Sequence, residues 1–461
     1  YLTKKTYFNY TIYKYKFKIM KLKKIVNHLL VAFLVFQFLS CDNKESLDSP
    51  FNATPSERLN AQQKELNDLL ESSQYGWKAV YFTDTTQLGG YTHLFKFKQG
   101  KVDMASDFDS DTGTYSSEYS IVLGSTVSLV FTTKNRIHLL SDSNNSPVAS
   151  LKGKGYKGDF QFLYYGKEND QIIFKTNRSF KELRFVKATA EDWSNLPKNI
   201  AMIPNVVGSN TRPLFRLLET FDGTKTSQFD FNFSEATRYA TANSIESGSN
   251  MTSNMGIAYT PTGIIISPPV KVGNQKLTDF TYDSASGAFT ATGTNNVTAT
   301  IKYSNKPLII TDDYKKLLAG NPNNVYAYIY NLTNTAPTNS LLFNTILTEL
   351  KLSLPAGAQL TRIQPWFNNP DGSNYIEYRF GNAAGATIAR YYHYFTVTED
   401  ATNKVIILNP LQWKTSTLAT APAIVAPAFL KKLDDQLMNP NGLYFIKQGG
   451  LPYPAFTLTG F

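Results

Sequence analysis

Much of this chain consists of a series of short segments rich in β-branched and aromatic residues, each bounded by Gly, Asn, Asp or Ser. Several of them alternate apolar and polar residues, which is the pattern of a half-buried strand. In the first half the series comprises Trp77 to Phe82, His93 to Phe97, Lys101 to Met104, Tyr119 to Leu123, Ser128 to Phe131, Phe160 to Tyr165, Gln171 to Phe174 and Leu183 to Val186. This spacing predicts a meander of antiparallel hairpins and not the regular strand-helix alternation of a parallel sheet.

The second half contains further segments of this kind. The first is Ser227 to Phe233 and the last is Lys404 to Leu408. Apolar residues at helical spacing after Pro55 predict a helix with Thr54 as its N-cap. Shorter helices are expected at Asp312 to Leu318 and at Pro427 to Met438, and Ala190 to Pro204 is interpreted as a helical turn and linker. The predicted fold class is mainly β (α+β), with two β-rich antiparallel domains at 55–210 and 211–461.

The start of the chain has the organisation of an exported protein's leader. Residues 1–40 are interpreted as leader and signal peptide, with Met20 as the expected start. Lys21, Lys23 and Lys24 then form a basic region ahead of an apolar run that ends at Leu39. This run is too short to span a bilayer as a permanent helix, which needs about 20 apolar residues.

The end of that run distinguishes a lipoprotein signal from an ordinary secretory one. Phe38 is too large for the position that an ordinary signal peptidase requires to be small, whereas Ser40 followed by Cys41 matches a lipobox. Cys41 is therefore predicted to carry diacylglycerol and to become the first residue of the mature protein, anchored rather than membrane-spanning. Residues 41–54 are polar and acidic and are interpreted as a flexible tether.

The charge and the cysteine content argue against a nucleic-acid partner and against thiolate metal sites. The chain has 46 Lys and Arg against 36 Asp and Glu, but residues 1–40 contain eight Lys and no acidic residue, which leaves 38 against 36 afterwards. Without a basic excess or a recognition motif, no nucleic-acid partner is expected. Cys41 is the only cysteine, so its acylation leaves no thiol for disulfides or thiolate metal sites.

Several short motifs resemble an uncharacterised family of Bacteroidetes lipoproteins, domain of unknown function 4302. They are Tyr75-Gly76-Trp77, Gly89-Gly90-Tyr91, Phe95-Lys96-Phe97 with Lys101-Val102-Asp103-Met104, and Tyr259-Thr260-Pro261-Thr262-Gly263-Ile264. The resemblance implies a lipobox and an outer-membrane location, with genes beside SusC/SusD-like uptake systems and zinc metallopeptidases. It implies no catalytic residues.

The glycines in these motifs have a physical interpretation of their own. Gly76 is expected to take a left-handed conformation after the helix, with Trp77 opening the first strand as a buried plug. Gly89 and Gly90 are expected to allow positive φ in a tight turn between strands.

One loop resembles a calcium-binding loop. Asp107, Asp109, Asp111 and Glu118 occupy positions 1, 3, 5 and 12, which supply oxygen ligands in such loops. Gly113 stands at position 7 instead of 6, and the flanks are strands, so a solvated acidic hairpin is the alternative. Calcium is the one cofactor that this pattern suggests.

No compact catalytic motif accompanies the strands. The chain has four His, at 28, 93, 138 and 393, and no two are close in sequence, which excludes a local zinc motif. The histidines outside the leader are interpreted as strand residues. Asp434-Asp435 is interpreted as part of a cap or a solvated helix face.

Aromatic residues make up 14% of the chain and offer a candidate binding surface. Tyr326, Tyr328 and Tyr330 alternate and would share one face of a strand, while Tyr391 to Phe395 places aromatic residues on both faces of another. Exposed rings would suit stacking on sugars or gripping peptides. The alternative is that these rings pack within the sheet.

Three function classes follow. The first is a surface-exposed outer-membrane lipoprotein that acts as a non-catalytic binding or accessory component of a SusC/SusD-like uptake system, with a glycan or peptide ligand. The second is a hydrolase of glycans or peptides with scattered carboxylates, and the third is an adhesion or envelope-structure protein.

Overall fold

The computed structural model describes residues 54–209, 212, 215–304, 306–321, 325–327, 329–332, 336, 339–417, 427–447 and 454–459. The predicted mainly β (α+β) class is confirmed, because antiparallel sheets organise the chain from Trp77 onward. Two of these sheets close into eight-stranded barrels, and the third stays open. No helix in the described ranges combines the length and apolar character needed to cross a membrane.

Helix α1 (Pro55–Glu71) precedes the first barrel. Thr54 accepts a hydrogen bond from the Glu57 backbone N–H, and the Glu57 carboxylate accepts one from the Thr54 backbone N–H, so the predicted N-cap forms a reciprocal capping box. Later in the helix, Leu66 and Leu70 are buried, and the Trp77 indole donates to the Leu70 carbonyl. Gly76 has φ +74° and Trp77 is 1% exposed, as expected from the sequence.

The first barrel closes where β1 pairs with β8. Stacked phenylalanines fill its interior, among them Phe95, which packs on Phe185 at 4.8 Å and on Phe131 at 5.4 Å between ring centroids. An eight-stranded barrel leaves just enough interior for side chains to fill. Its strands are β1 (Trp77–Phe82), β2 (Gly90–Lys98), β3 (Lys101–Ser106), β4 (Tyr115–Leu123), β5 (Val127–Phe131), β6 (Gln161–Glu168), β7 (Gln171–Thr176) and β8 (Glu182–Lys187), with helix α2 (His138–Ser141) and a 3₁₀ turn (Ala149–Leu151) between β5 and β6.

Helix α3 (Ala190–Val207) follows the first barrel, and it is one continuous helix where the sequence predicts a helical turn and a linker. It contains Pro197 and Pro204, which lower helix propensity. Burial of its apolar face, Leu196, Met202 and Val206 included, outweighs that penalty.

The second barrel closes where β9 pairs with β16, and smaller side chains fill it, with Ala240, Ala242, Ala291 and Ala299 among its buried residues. Its strands are β9 (Phe215–Phe221), β10 (Thr226–Ser234), β11 (Tyr239–Ser244), β12 (Met255–Thr260), β13 (Gly263–Val272), β14 (Gln275–Asp283), β15 (Ala288–Thr292) and β16 (Thr298–Ser304).

The remaining strands form an open antiparallel sheet, here called the C-terminal sheet. Helices α4 (Leu341–Leu352) and α5 (Pro427–Leu437) supply core residues such as Phe343 and Leu433, which cluster with Ile376 and Phe380 of the sheet. The sheet contains β17 (Val325–Tyr326), β18 (Tyr330–Asn331), β19 (Ala358–Phe367), β20 (Tyr375–Asn382), β21 (Thr387–Asp400), β22 (Val405–Thr417), β23 (Leu443–Lys447) and β24 (Pro454–Thr459), after a 3₁₀ helix (Asp313–Leu317).

Candidate functional site

A pocket of about 470 Å³ opens where α5 lies over β21 and β22. Apolar side chains dominate its wall, joined by a few polar ones. We call it the aromatic pocket; its lining consists of Tyr391, His393, Pro410, Trp413, Thr415, Leu430, Lys431, Asp434, Asp435 and Met438. A mostly apolar concavity with a few convergent polar groups is the usual form of a small-ligand site.

A buried hydrogen-bond network supports this pocket. Asp434 of α5 is 2% exposed; it accepts a hydrogen bond of 2.6 Å from the Tyr378 hydroxyl, and its other oxygen lies 2.7 Å from His393 Nδ1. A carboxylate oxygen accepts, so His393 Nδ1 is the donor in this hydrogen bond. The network ties α5 to β20 and β21.

The Tyr378 hydroxyl remains the donor of this network throughout the physiological range. Burial raises the pKa of Tyr378 well above its ordinary value, and the neighbouring Asp434 carboxylate raises it further. The tyrosine is therefore a fixed neutral donor that holds the carboxylate in place.

Trp413 forms the most exposed aromatic surface of the pocket. Its ring stacks on His393 with centroids 4.3 Å apart and planes 14° apart, while 40% of the residue stays exposed. Since His393 is fixed by Asp434, the stack holds the indole in one orientation. Lys431 and Asp435, both exposed, form an ion pair of 2.6 Å at the same pocket.

The arrangement is suited to stacking and packing against a ligand. The two Asp434 oxygens are occupied by Tyr378 and His393, so the most buried charge already has its partners. Aliphatic contacts come from Leu430 and Met438, and an unbranched thioether adapts to irregular shapes.

The predicted calcium loop does not bring its four carboxylates together. Asp107 is fully buried and points at the second barrel, whereas Glu118 is exposed on β4. Asp109 and Asp111 instead both contact Arg136, and Asp111 also accepts a 2.8 Å hydrogen bond from Tyr115. Among the described residues, no three His, Cys, Asp or Glu side chains are grouped as a metal site.

Asp107 belongs to a cluster that joins the two barrels, here called the inter-barrel cluster. Arg238, in the turn between β10 and β11, donates to Asp107 Oδ1 at 3.1 Å and to the Gly90 carbonyl at 3.1 Å. Its guanidinium lies 4.1 Å from the Tyr91 ring centroid and 4.7 Å from that of Tyr259. Burial lowers the pKa of Arg238, but Asp107, Tyr91 and Tyr259 together raise that pKa above its ordinary value.

Gly89 and Gly90 lie where the backbones of the two barrels come close together. The expected tight turn with positive φ is wrong. Neither Gly89 nor Gly90 has positive φ. A Cβ on Gly89 would lie 2.3 Å from the Arg238 carbonyl oxygen and 2.4 Å from that of Ile257, and the Gly89 N–H donates to Thr237 at 2.8 Å. Only glycine lets the two barrels meet here.

The predicted tyrosine row is divided between two short strands. Tyr326 lies in β17 and contacts Trp366, with ring centroids 5.3 Å apart. Tyr330 lies in β18 and is 5% exposed beneath Lys351. Tyr328 lies outside the described residues, as does the proposed lipid attachment site, Cys41.

A match to a protein family covers the helices and barrels before the C-terminal sheet, apart from the last two strands of the second barrel. A family model described as Domain of unknown function (DUF4302) matches residues 48–284, just over half of the chain. The chain belongs to the DUF4302 family.

The DUF4302 match covers α1, the first barrel, α3 and the second barrel as far as β14. It therefore contains the whole inter-barrel cluster, including Asp107, Arg238 and Gly89. The aromatic pocket lies beyond its end, on the C-terminal sheet.

Two solved structures that match this DUF4302 protein are only weakly similar to it. The beta subunit of DNA polymerase from Streptococcus pyogenes is 8% identical with a TM-score of 0.15, covering 87% of this chain and 98% of its own. The DNA polymerase sliding clamp of Caulobacter crescentus is also 8% identical with a TM-score of 0.15, at coverages of 86% and 96%. No curated protein matches the chain.

Sequence reasoning missed the pocket residues of this DUF4302 protein. Asp434 was expected on a solvated helix face or in a cap, but it is buried against Tyr378 and His393. His393 is predicted only as a strand residue, and it does lie in β21. Its pairing with α5 depends on packing between segments about forty residues apart, which no local pattern encodes.

Proposed function

We propose that this protein is a lipid-anchored, non-catalytic binding protein of the outer membrane, facing the cell surface, whose ligand site is the aromatic pocket. The observation that carries this proposal is the stack of Trp413 on His393, fixed from below by Asp434. A rigid aromatic surface costs little conformational entropy on binding, which favours ligand recognition. Glycans and peptides are the two ligand classes that such a surface accommodates.

The anchoring part of the proposal rests on the sequence. Ser40-Cys41 follows a basic and then an apolar run, and a thiol is the nucleophile that takes up diacylglycerol. The polar residues 41–54 would let the folded part reach away from the membrane. Work with a SusC/SusD-like transporter is proposed from the family resemblance alone.

A hydrolase is the second candidate, and the Asp434–His393 pair is the observation that favours it. A carboxylate that orients a histidine beside a pocket is also part of hydrolytic sites. However, the Tyr378 hydroxyl occupies the other Asp434 oxygen, and Thr415 is the only aliphatic hydroxyl among the described lining residues. The geometry therefore favours binding.

The binding proposal is tested by screening residues 41–461, with Cys41→Ser to prevent lipidation, on neutral glycan and peptide arrays. Any ligand is then titrated against Trp413→Ala and against Tyr165→Ala, a control that removes an exposed aromatic side chain from the first barrel. We expect at least tenfold weaker binding with Trp413→Ala and no change with Tyr165→Ala. Turnover of any array ligand would overturn the non-catalytic part.

Anchoring is tested separately in cells. The wild-type protein should fractionate with outer membranes and incorporate radiolabelled palmitate, and Cys41→Ala should do neither. Equal membrane retention of both forms would contradict the role of Cys41.

A further inference from the structure

The face of the C-terminal sheet opposite α4 and α5 carries an aromatic row that crosses four strands. Because directly paired residues share one face, the register Tyr326 to Trp366, Trp366 to Tyr375 and Tyr375 to Tyr394 places these rings side by side. Ring centroids are 5.3 Å apart for Tyr326 and Trp366 and 5.4 Å apart for Tyr375 and Tyr394. All four side chains are partly exposed.

A row of arginines runs parallel to the aromatic row, on the same face. Arg362 pairs with Arg379 and Arg379 pairs with Arg390, so three guanidinium groups lie on neighbouring strands. We call these two rows together the arginine face. Like charges directly opposite each other destabilise a sheet, so the arrangement needs a compensating group.

Glu377 supplies that compensation and fixes the geometry. Its carboxylate lies 2.9 Å from Arg379, 3.5 Å from Arg362 and 3.7 Å from Arg390. The Glu377 side chain is 4% exposed, whereas those of Arg362, Arg379 and Arg390 are 33%, 24% and 40% exposed. One buried carboxylate thus holds three cations whose outer N–H groups reach solvent.

The charges of this face do not balance. Among the residues that the structure describes, Glu377 is the one carboxylate paired with these three guanidinium groups, which leaves two uncompensated positive charges in the row. Each guanidinium has five N–H donors in a planar fork, and one carboxylate can accept only a few of them. The unused donors match carboxylate or sulfate groups.

We propose that the arginine face binds an acidic polysaccharide, with its carboxylate or sulfate groups on the arginines and its sugar rings on the aromatic row. A chain that carries both flat apolar sugar faces and acidic groups matches the two parallel rows. Glu377 is a positioning residue in this site, since it orients the guanidinium groups from beneath. This surface lies on the opposite side of the sheet from the aromatic pocket and takes a different ligand class.

The other polyanion that stacks on aromatic rings is single-stranded nucleic acid. The chain after residue 40 has 38 basic and 36 acidic residues, so it lacks the charge excess that drives phosphate-backbone binding. Titration with a single-stranded oligonucleotide distinguishes the two polyanions.

The test uses residues 41–461 with Cys41→Ser, titrated by calorimetry with polygalacturonate, chondroitin sulfate, neutral xylan and a single-stranded oligonucleotide. We expect binding to an acidic glycan that weakens with salt, and none to xylan. Arg362→Gln/Arg390→Gln should weaken it at least tenfold. Arg184→Gln, which removes a partly exposed, ion-paired arginine from the first barrel, should not change it.

A second variant separates charge from geometry. Arg362→Lys/Arg390→Lys keeps the charge but loses the planar fork, and we expect an intermediate loss of affinity together with an unchanged thermal midpoint. Trp413→Ala should leave this binding unchanged, so a failure here is distinguishable from a failure at the aromatic pocket. The proposal is wrong if neither acidic glycan binds, or if xylan binds as tightly as the acidic glycans. It is also wrong if the oligonucleotide binds more tightly than the acidic glycans, or if the arginines instead mediate self-association of the protein.

Discussion

The inter-barrel cluster and the Tyr378–Asp434–His393 network are both built around a buried aspartate, yet they differ in what surrounds them. Asp107 is fully buried and its partner Arg238 is 5% exposed, enclosed by tyrosine rings and backbone carbonyls. The Asp434 network instead supports an indole that stays 40% exposed. Both networks join separate elements, but only the Asp434 network ends at an exposed ring that can contact a ligand.

The largest expected effect comes from breaking the closed cluster. Arg238→Met should lower the free energy of unfolding by about 3–5 kcal/mol, because it leaves the Asp107 carboxylate buried without its counterion. Urea denaturation measures this loss, and adding Asp107→Asn should restore part of it. Lys64→Met, which breaks an exposed helix pair, should cost under about 0.5 kcal/mol. A similar loss of unfolding free energy in Arg238→Met and Lys64→Met would contradict the structural role of the inter-barrel cluster.

Substitution of Gly89, where the two barrels meet, should lower the stability nearly as much. Gly89→Ala places a Cβ within 2.4 Å of two backbone oxygens, and the shift needed to relieve the overlap should cost about 1–3 kcal/mol. Gly124→Ala is the matched control, since its nearest new contact would be 3.7 Å away. Thermal unfolding of the two variants should therefore differ; equal midpoints would refute close approach as the role of Gly89.

His93, which is fully buried beside this cluster, gives the closed region a pH dependence. Burial lowers the pKa of His93 to about 4, so the unfolded chain takes up its proton first as the pH falls below 6.5. Its contribution to stability is complete above pH 6.5 and is lost as the pH falls towards 4. Between pH 7.5 and 5, the wild type should lose about 2 kcal/mol more than His93→Gln, measured by urea denaturation. Parallel pH profiles would contradict this.

Removal of the Tyr378 hydroxyl tests the Tyr378–Asp434–His393 network. Tyr378→Phe leaves the buried Asp434 with one partner fewer and should cost about 1–2 kcal/mol in the free energy of unfolding. It should also loosen the stack of Trp413 on His393, which near-ultraviolet circular dichroism detects. Tyr282→Phe, which loses a part-buried hydrogen bond to Asn205, should cost no more than about 1 kcal/mol and leave the spectrum unchanged.

The sequence predicts the elements that depend on local patterns, and it does not predict the contacts between residues that are distant in sequence. Alternation located β1 to β8, and the Pro427 to Met438 pattern located α5, because both are local. Helix α4 was not predicted, and the segment that forms α3 was interpreted as a helical turn and linker, because buried contacts with distant residues stabilise both helices. The partners of Asp107 and Asp434 lie far away in sequence, at Arg238 and at Tyr378 and His393, so single-residue patterns placed both carboxylates in solvent or in a cation loop.

The affinity of the Trp413→Ala protein for the best neutral array ligand decides whether the C-terminal sheet binds the ligand. It should be measured beside Tyr165→Ala and Arg238→Met at a temperature where all three proteins are folded. We expect at least tenfold weaker binding for Trp413→Ala alone. Unchanged affinity in Trp413→Ala, or an equal loss in Arg238→Met, would contradict the assignment of binding to the C-terminal sheet and of structural support to the barrels.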